Sequence, residues 1–144
     1  MQCRVQQVSG IDYAKEIHAL NGLSPQIFPA LTEDHLKFGH WFIIFNDRNE
    51  PKAFAGLVKM TPFDELGVWY LKRCYVDPHY RGRGWQQLLL RERIAKAKSI
   101  GARMLVTESI GSHSNVNMAS SGFVEFEPEQ KWGALGSRYW KMVL

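Results

Sequence analysis

Between Tyr75 and Leu89 the chain reads Tyr-Val-Asp-Pro-His-Tyr-Arg-Gly-Arg-Gly-Trp-Gln-Gln-Leu-Leu. A β-rich run stops at Pro78, which cannot donate to a strand ladder, and two glycines stand where an amphipathic helix begins. The first turn of a helix leaves backbone N–H groups without partners and carries the positive end of the helix dipole. Gly82 and Gly84 let a phosphate come close to that bare backbone, and Arg81 and Arg83 add mobile positive charge at the same place. The chemistry of such residues at such spacing is anion binding, with a pyrophosphate as the expected ligand. The plainer alternative is a connection whose glycines serve only the turn, since isolated Gly-x-Gly turns are common.

The flanking elements must place this turn. Val68 to Val76 predicts the strand that feeds it, and behind it Leu89, Leu90, Ile94, Ala97 and Ile100 fall on one arc at helical spacing. Arg93 lies at the edge of that arc, where an aliphatic stem covers the core and the head stays in water. Gly101 closes the helix and Met104 to Ser109 resumes as a strand, a crossover that should be parallel and right-handed, and hence an α/β arrangement. Upstream, the pattern predicts a strand over Cys3–Val8 and a helix over Ile11–Leu20 closed by Asn21-Gly22. A second, short helix runs from its N-cap Thr32 to about Phe38, and Trp41–Phe45 pairs with Ala53–Met60 as a hairpin. Phe123–Phe126 and Ser137–Val143 predict a final antiparallel pair.

With 144 residues, 45% of them hydrophobic, the chain fits one domain over 1–144, because two would each be small. The formal charge of +4 favours anionic ligands; nucleic acid is allowed by so modest an excess and not indicated by it. Cys3 and Cys74 are far apart and lack metal-ligand spacing, so neither a disulfide framework nor a metal site is expected, and the cytoplasm is the default location. No stretch approaches the ~20 apolar residues of a membrane span, and no apolar leader is visible, so no membrane partner is expected. A monomer and a homodimer are both open.

Val76-x-Pro78-x-x-Arg81-Gly82-Arg83-Gly84 followed by paired leucines resembles the acyl-CoA binding motif of the GNAT superfamily, the GCN5-related N-acetyltransferases. With Gly122-Phe123 downstream, the resemblance covers roughly the C-terminal half. The family pattern ends in Gly or Ala where this chain has Gln86, whose side chain either crowds a pyrophosphate or donates to it. The resemblance implies a mixed, mostly antiparallel sheet of about six to seven strands with helices on both faces, in which the strand before the motif and the strand after its helix splay apart. It implies acetyl-CoA as the acyl donor. Its pantetheine arm is then expected along Arg73 to Val76, with Tyr75 and Val76 facing it and Cys74 beside them, while Arg81, Gly82, Arg83, Gly84, Trp85 and Gln86 hold the pyrophosphate. The Cys74 thiol reads as a small buried hydrophobe rather than a nucleophile. The family's second motif is matched in part: Asn117-x-x-Ser120 leads to Gly122-Phe123, but the helix is short and the usual Tyr is absent. Asn115 and Asn117 serve as caps or turn residues or, for Asn117, as a cofactor contact.

By this resemblance an amine acceptor attacks the thioester directly. It must lose a proton, and the departing thiolate must be protonated or stabilised. The candidates for the first task are Glu108, on the strand opposite the thioester, and His113; each also reads as an ordinary strand-end carboxylate or loop histidine. For the second they are Ser120 or Ser121, with Tyr75 or Tyr139 as alternatives, and the backbone N–H near Val76 is the expected polariser of the thioester carbonyl. The acceptor, a small molecule or a protein amine, is expected between Gly22–His40 and Gln130–Trp140. Of the aromatics there, Phe28, Trp41, Trp132, Tyr139 and Trp140, most read as core. A different class stays open: a catalytically silent module of the same fold that binds CoA or only a partner.

Overall fold

Apolar runs with strand-like alternation form seven strands, and the structure, a computed structural model, describes them within residues 3–24, 30–60 and 66–144, the His113 side chain excepted. In chain order these are β1 (Arg4–Val8), α1 (Ala14–Gly22), α2 (Glu33–Phe38), β2 (His40–Phe45), β3 (Pro51–Lys59), β4 (Val68–Val76), α3 (Trp85–Ser99), β5 (Met104–Ser109), α4 (Ser112–Ser120), β6 (Val124–Phe126) and β7 (Arg138–Val143), with a 3₁₀ turn over Pro78–Tyr80. The sheet order is β1-β2-β3-β4-β5-β7-β6. Only β4 and β5 run parallel, so the sheet is mixed and mostly antiparallel, as the resemblance implied. One face packs under α1 and α2 around Trp41, Ile43, Phe54 and Tyr70, with the Trp41 and Phe54 rings stacked 6.2 Å apart. The other packs under α3 through Trp85, Leu89, Leu90 and Ala97, with Met118 of α4 beside them.

Two features of this frame open the sheet. Cα partners β4 and β5 match only from Val68↔Met104 to Tyr70↔Val106, after which the strands part. Beyond that point Thr107 Oγ1 still donates to the Leu71 carbonyl at 3.2 Å. The β3–β4 ladder also slips by one residue: Ala55 faces Cys74 and Gly56 faces Lys72, so Arg73 is the extra residue of a β-bulge, at φ 58°.

Several expectations need correcting. The first helix begins at Ala14, because Ser9 to Tyr13 close a turn of their own and Tyr13 offers no side-chain cap. It also runs through Asn21-Gly22, since Gly22 keeps a negative φ and does not stop it. Thr32 caps α2 as read, and the His35 ring completes a reciprocal box with the Thr32 amide. Arg93 does not reach water: its head is buried against the sheet. Trp41 and Trp140 are core residues, in keeping with the reading of most of those aromatics as core, their indole N–H groups donating to the His35 carbonyl and Ser109 Oγ. Phe28 lies outside the described residues. Among the described residues no helix is long and apolar enough to cross a membrane.

Candidate active site

The glycines after β4 adopt the conformation that a tight approach to a helix start requires. Gly82 and Gly84 both sit at φ 80°, and a Cβ at either would meet nothing within 4 Å, so the space over the turn is open. Gly84 is the N-cap of α3 and brings no capping side chain, which leaves the first-turn amides of Trp85, Gln86 and Gln87 aimed into that space. Trp85 is buried and stacks on Tyr80 with ring centroids 4.8 Å apart, fixing the helix start against the 3₁₀ turn. Arg81 folds back, its Nε donating to the Val76 carbonyl at 2.9 Å, and stays on the cavity wall. Arg83 departs from the expectation. Its guanidinium stands over the Tyr80 ring at 4.8 Å and donates to the His79 carbonyl, and it lines no part of the cavity.

The cavity over this turn has a volume of about 450 Å³ and is walled by Cys74, Tyr75, Val76, Arg81, Gly82, Gly84, Trp85, Gln86 and Asn117, among others. A second hollow of about 140 Å³ lies where β4 and β5 part and reaches Thr107, Glu108 and Ser114. The two share Arg73, Cys74, Gln86, Gln87 and Asn117 as lining, so they adjoin, one at the helix start and the other towards the middle of the sheet. The residues present therefore suit a long ligand with an anionic end: uncapped amides and Arg81 at the wide end, strand backbone along the wall, a carboxylate at the deep end. Burial pushes the Cys74 thiol up, with Arg93 acting the other way, so it stays protonated and is a poor nucleophile.

Glu108 is buried, not a solvated strand end. One carboxylate oxygen accepts the Tyr70 hydroxyl, and the other accepts the Trp132 indole N–H at 2.7 Å. Burial and the neighbouring carboxylate push the Tyr70 phenol well up, which keeps it a donor. Tyr139 holds the loop that carries Trp132: their rings meet edge-on at 4.6 Å, and the Gly133 amide donates to the Tyr139 hydroxyl. Trp132 and Tyr139 thus lie beside the carboxylate, whereas Ser120 is set apart from the cleft. It is exposed on α4 with its hydroxyl donating to the Asn117 carbonyl, as Ser121 does too. Asn115 accepts from Ser109 Oγ at 2.5 Å and ties α4 to β5. The α4 hydroxyl that does line the deep hollow is Ser114.

Sequence reading missed Tyr70 and Lys72 on β4, and took Arg73 only as strand backbone. The signal was there: Tyr70 and Lys72 alternate onto one face of an otherwise apolar strand. Lys72 is 1% exposed and donates to the Ala30 carbonyl at 3.1 Å. Burial, then Arg73, hold it down at about 8, with Glu108 opposing. In the unfolded chain it titrates near 10.5, so between about 8 and 10.5 the unfolded state binds the extra proton. Burying the charged form therefore costs stability below pH 8, and that cost fades as pH rises towards 10.5. Relative to Lys72→Met, the unmodified protein should gain stability across this window. After discounting for solvent screening the gain is on the order of 1–2 kcal/mol, a few degrees in Tm, measured by thermal melts of both proteins at each pH. A constant difference across the window would contradict the assignment.

Comparison with known proteins bears on this geometry. No curated protein matches the sequence. Among solved structures, an N-acetyltransferase from Staphylococcus aureus Mu50 superposes with a TM-score of 0.75 at 15% identity over 99% of both chains. The IAA acetyltransferase from Bacillus cereus ATCC 14579 does so at 0.71 and 16%, over 99% of this chain and all of that one. N-acetylglutamate synthase from Neisseria gonorrhoeae, solved with coenzyme A and N-acetyl-glutamate, matches at 0.76 and 18% over the whole of this chain, which spans 35% of the synthase. At such identities these likenesses establish the fold. The model of the acetyltransferase (GNAT) family matches residues 13–123, taking in the parted strands, the glycine turn and α4, and on that match the chain belongs to the GNAT family.

Proposed function

We propose that the protein is an acetyl-CoA-dependent N-acyltransferase acting on a primary amine, with residues 1–144 working as one domain. The observation that carries this reading is that uncapped amides at Gly84–Gln87 and the buried carboxylate of Glu108 line adjoining hollows that share the same β4 wall. Family membership supports acyl transfer in general; the amine acceptor and the residue roles below are the proposal. Gly82, Gly84, Trp85, Gln86 and Gln87 would hold the pyrophosphate, with Arg81 lending charge, and Tyr75, Val76 and Asn117 would line the path of the pantetheine arm. Acetyl-CoA supplies an activated acyl carbonyl when bound. Glu108, with the Tyr70 and Trp132 donors fixing it, takes the proton from the attacking amine, using a lone pair those donors leave over. His113 is the alternative base. As the C–N bond forms and the C–S bond breaks, the thiolate needs a donor, and Ser114 replaces Ser120 in that role.

A second reading, a CoA-binding module without turnover, is favoured by one observation: the Ser120 and Ser121 hydroxyls are both spent on the Asn117 carbonyl. Thiol release from acetyl-CoA over a panel of small amines and lysine peptides separates the two. Amine-dependent release is expected of the enzyme, and thermal stabilisation by acetyl-CoA without release would establish the module. Neither stabilisation nor release would sink both.

A further inference from the structure

Arg93, only 4% exposed, lies between α3 and the sheet on the wall of the deep hollow, and among the described residues no carboxylate lies within ion-pair distance of it. A buried cation without a counter-charge is retained only where its donors are met. Here backbone carbonyls meet three of its five N–H groups: Nε donates to Leu89 at 3.3 Å, and Nη1 to Gly56 at 3.3 Å and to Arg73 at 3.2 Å. The last two flank the slip in the β3–β4 ladder, where Arg73 is the extra residue at φ 58°. A bulge leaves that residue outside the ladder, and a non-glycine residue keeps a left-handed conformation only where its surroundings over-determine it. One nitrogen, Nη1, serves both of those carbonyls, and the planar guanidinium fixes it there because Nε is bonded separately to Leu89; a lysine amine has no second anchor to hold it in place, and a methyl group donates nothing. Arg73 and Cys74, the two residues at the bulge, line both hollows of the cleft.

We infer that Arg93 is a positioning residue: it locks the bulge at Arg73 and so sets the direction in which the backbone of Arg73 to Val76 faces the cleft. Its kinetic consequence rests on the function proposed above, in which that strand edge carries the acyl donor. The glycine turn, anchored by Trp85 on Tyr80, is independent of the clamp. Loosening the clamp should therefore misplace the thioester while leaving the pyrophosphate held.

The test uses Arg93→Met and Arg93→Lys, with Ile94→Ala, a packing change on the next residue, as control. At a temperature where circular dichroism shows each protein folded, Arg93→Met should lose at least about tenfold in kcat, with KM for acetyl-CoA changed less than threefold, since small misplacements of reacting groups are costly. Arg93→Lys should fall between it and the unmodified protein, and Ile94→Ala should lower Tm with kcat kept. A purely structural arginine would make Arg93→Met behave like Ile94→Ala, and that result overturns the inference. Should Arg93→Met not fold, Arg93→Lys decides: a kcat equal to that of the unmodified protein overturns it. Amide hydrogen exchange provides a readout that needs no turnover. Arg93→Lys should accelerate exchange at Arg73–Tyr75 and leave β2 unchanged, and equal exchange at both overturns the inference even if no amine proves to be a substrate.

Discussion

Replacing Gly84 by valine should weaken acetyl-CoA binding by at least about a hundredfold, since two or more charge-assisted bonds from the first-turn amides, each worth roughly 1.5–3 kcal/mol, would be lost. Gly84 holds φ 80° and ψ 12°, a conformation a β-branched residue adopts only under strain. Its added side chain would stand in the open space over the amides, where a phosphate would otherwise lie. Isothermal titration calorimetry reads the affinity. A matched control is built in, because Gly101 at φ 81° also has open space around it but lies at the far end of α3. Gly101→Val should destabilise the fold to a similar degree and leave acetyl-CoA affinity alone. Equal affinity in Gly84→Val and the unmodified protein would mean that the phosphates bind elsewhere.

Glu108→Gln should reduce turnover by about 10²–10³, within the range a positioned general base contributes, while acetyl-CoA affinity stays within about twofold. The substitution suits its surroundings. The Trp132 N–H can only donate, so the new amide must turn its oxygen there, and its NH₂ then faces the Tyr70 hydroxyl, which can accept once it rotates. The packing around the site is thereby kept, and a fall in kcat reports the lost base. His113→Ala in the same assay distinguishes the two candidates: the variant with the larger loss in kcat at unchanged affinity carries the proton. If both retain full turnover, neither is the base. A loss of acetyl-CoA affinity in Glu108→Gln would place the carboxylate in donor binding instead.

Much of this arrangement was legible in the chain because it depends on local chemistry. Pro78, the two glycines and the leucine arc fix a strand, a turn and a helix with their own short-range preferences, and the crossover rule then makes β4 and β5 parallel. Thr32 with two acidic residues behind it announced α2. What stayed hidden depends on contacts distant in sequence. Arg93 looked like a solvated edge residue because its carbonyl partners lie 37 and 20 positions away, at a bulge that no residue type signals. Glu108 resembled a strand-end carboxylate because its two donors come from β4 and from the loop after β6. Ser120 and Ser114 are a turn and a half apart on one short helix, and only its docking decides which hydroxyl reaches the cleft. Arg81 and Arg83 were alike in type and spacing, yet Tyr80 draws Arg83 away while Val76 keeps Arg81 on the wall.

The central claim is that the first turn of α3 receives the anionic end of the coenzyme. An amide-resolved NMR titration with CoA tests it without requiring an acceptor or any turnover. The expected result is that the largest saturable shifts fall on Gly82, Gly84, Trp85, Gln86 and Gln87, with a second group along Cys74–Val76. Saturable binding whose shifts avoid that turn, or the absence of saturable shifts anywhere, would contradict it.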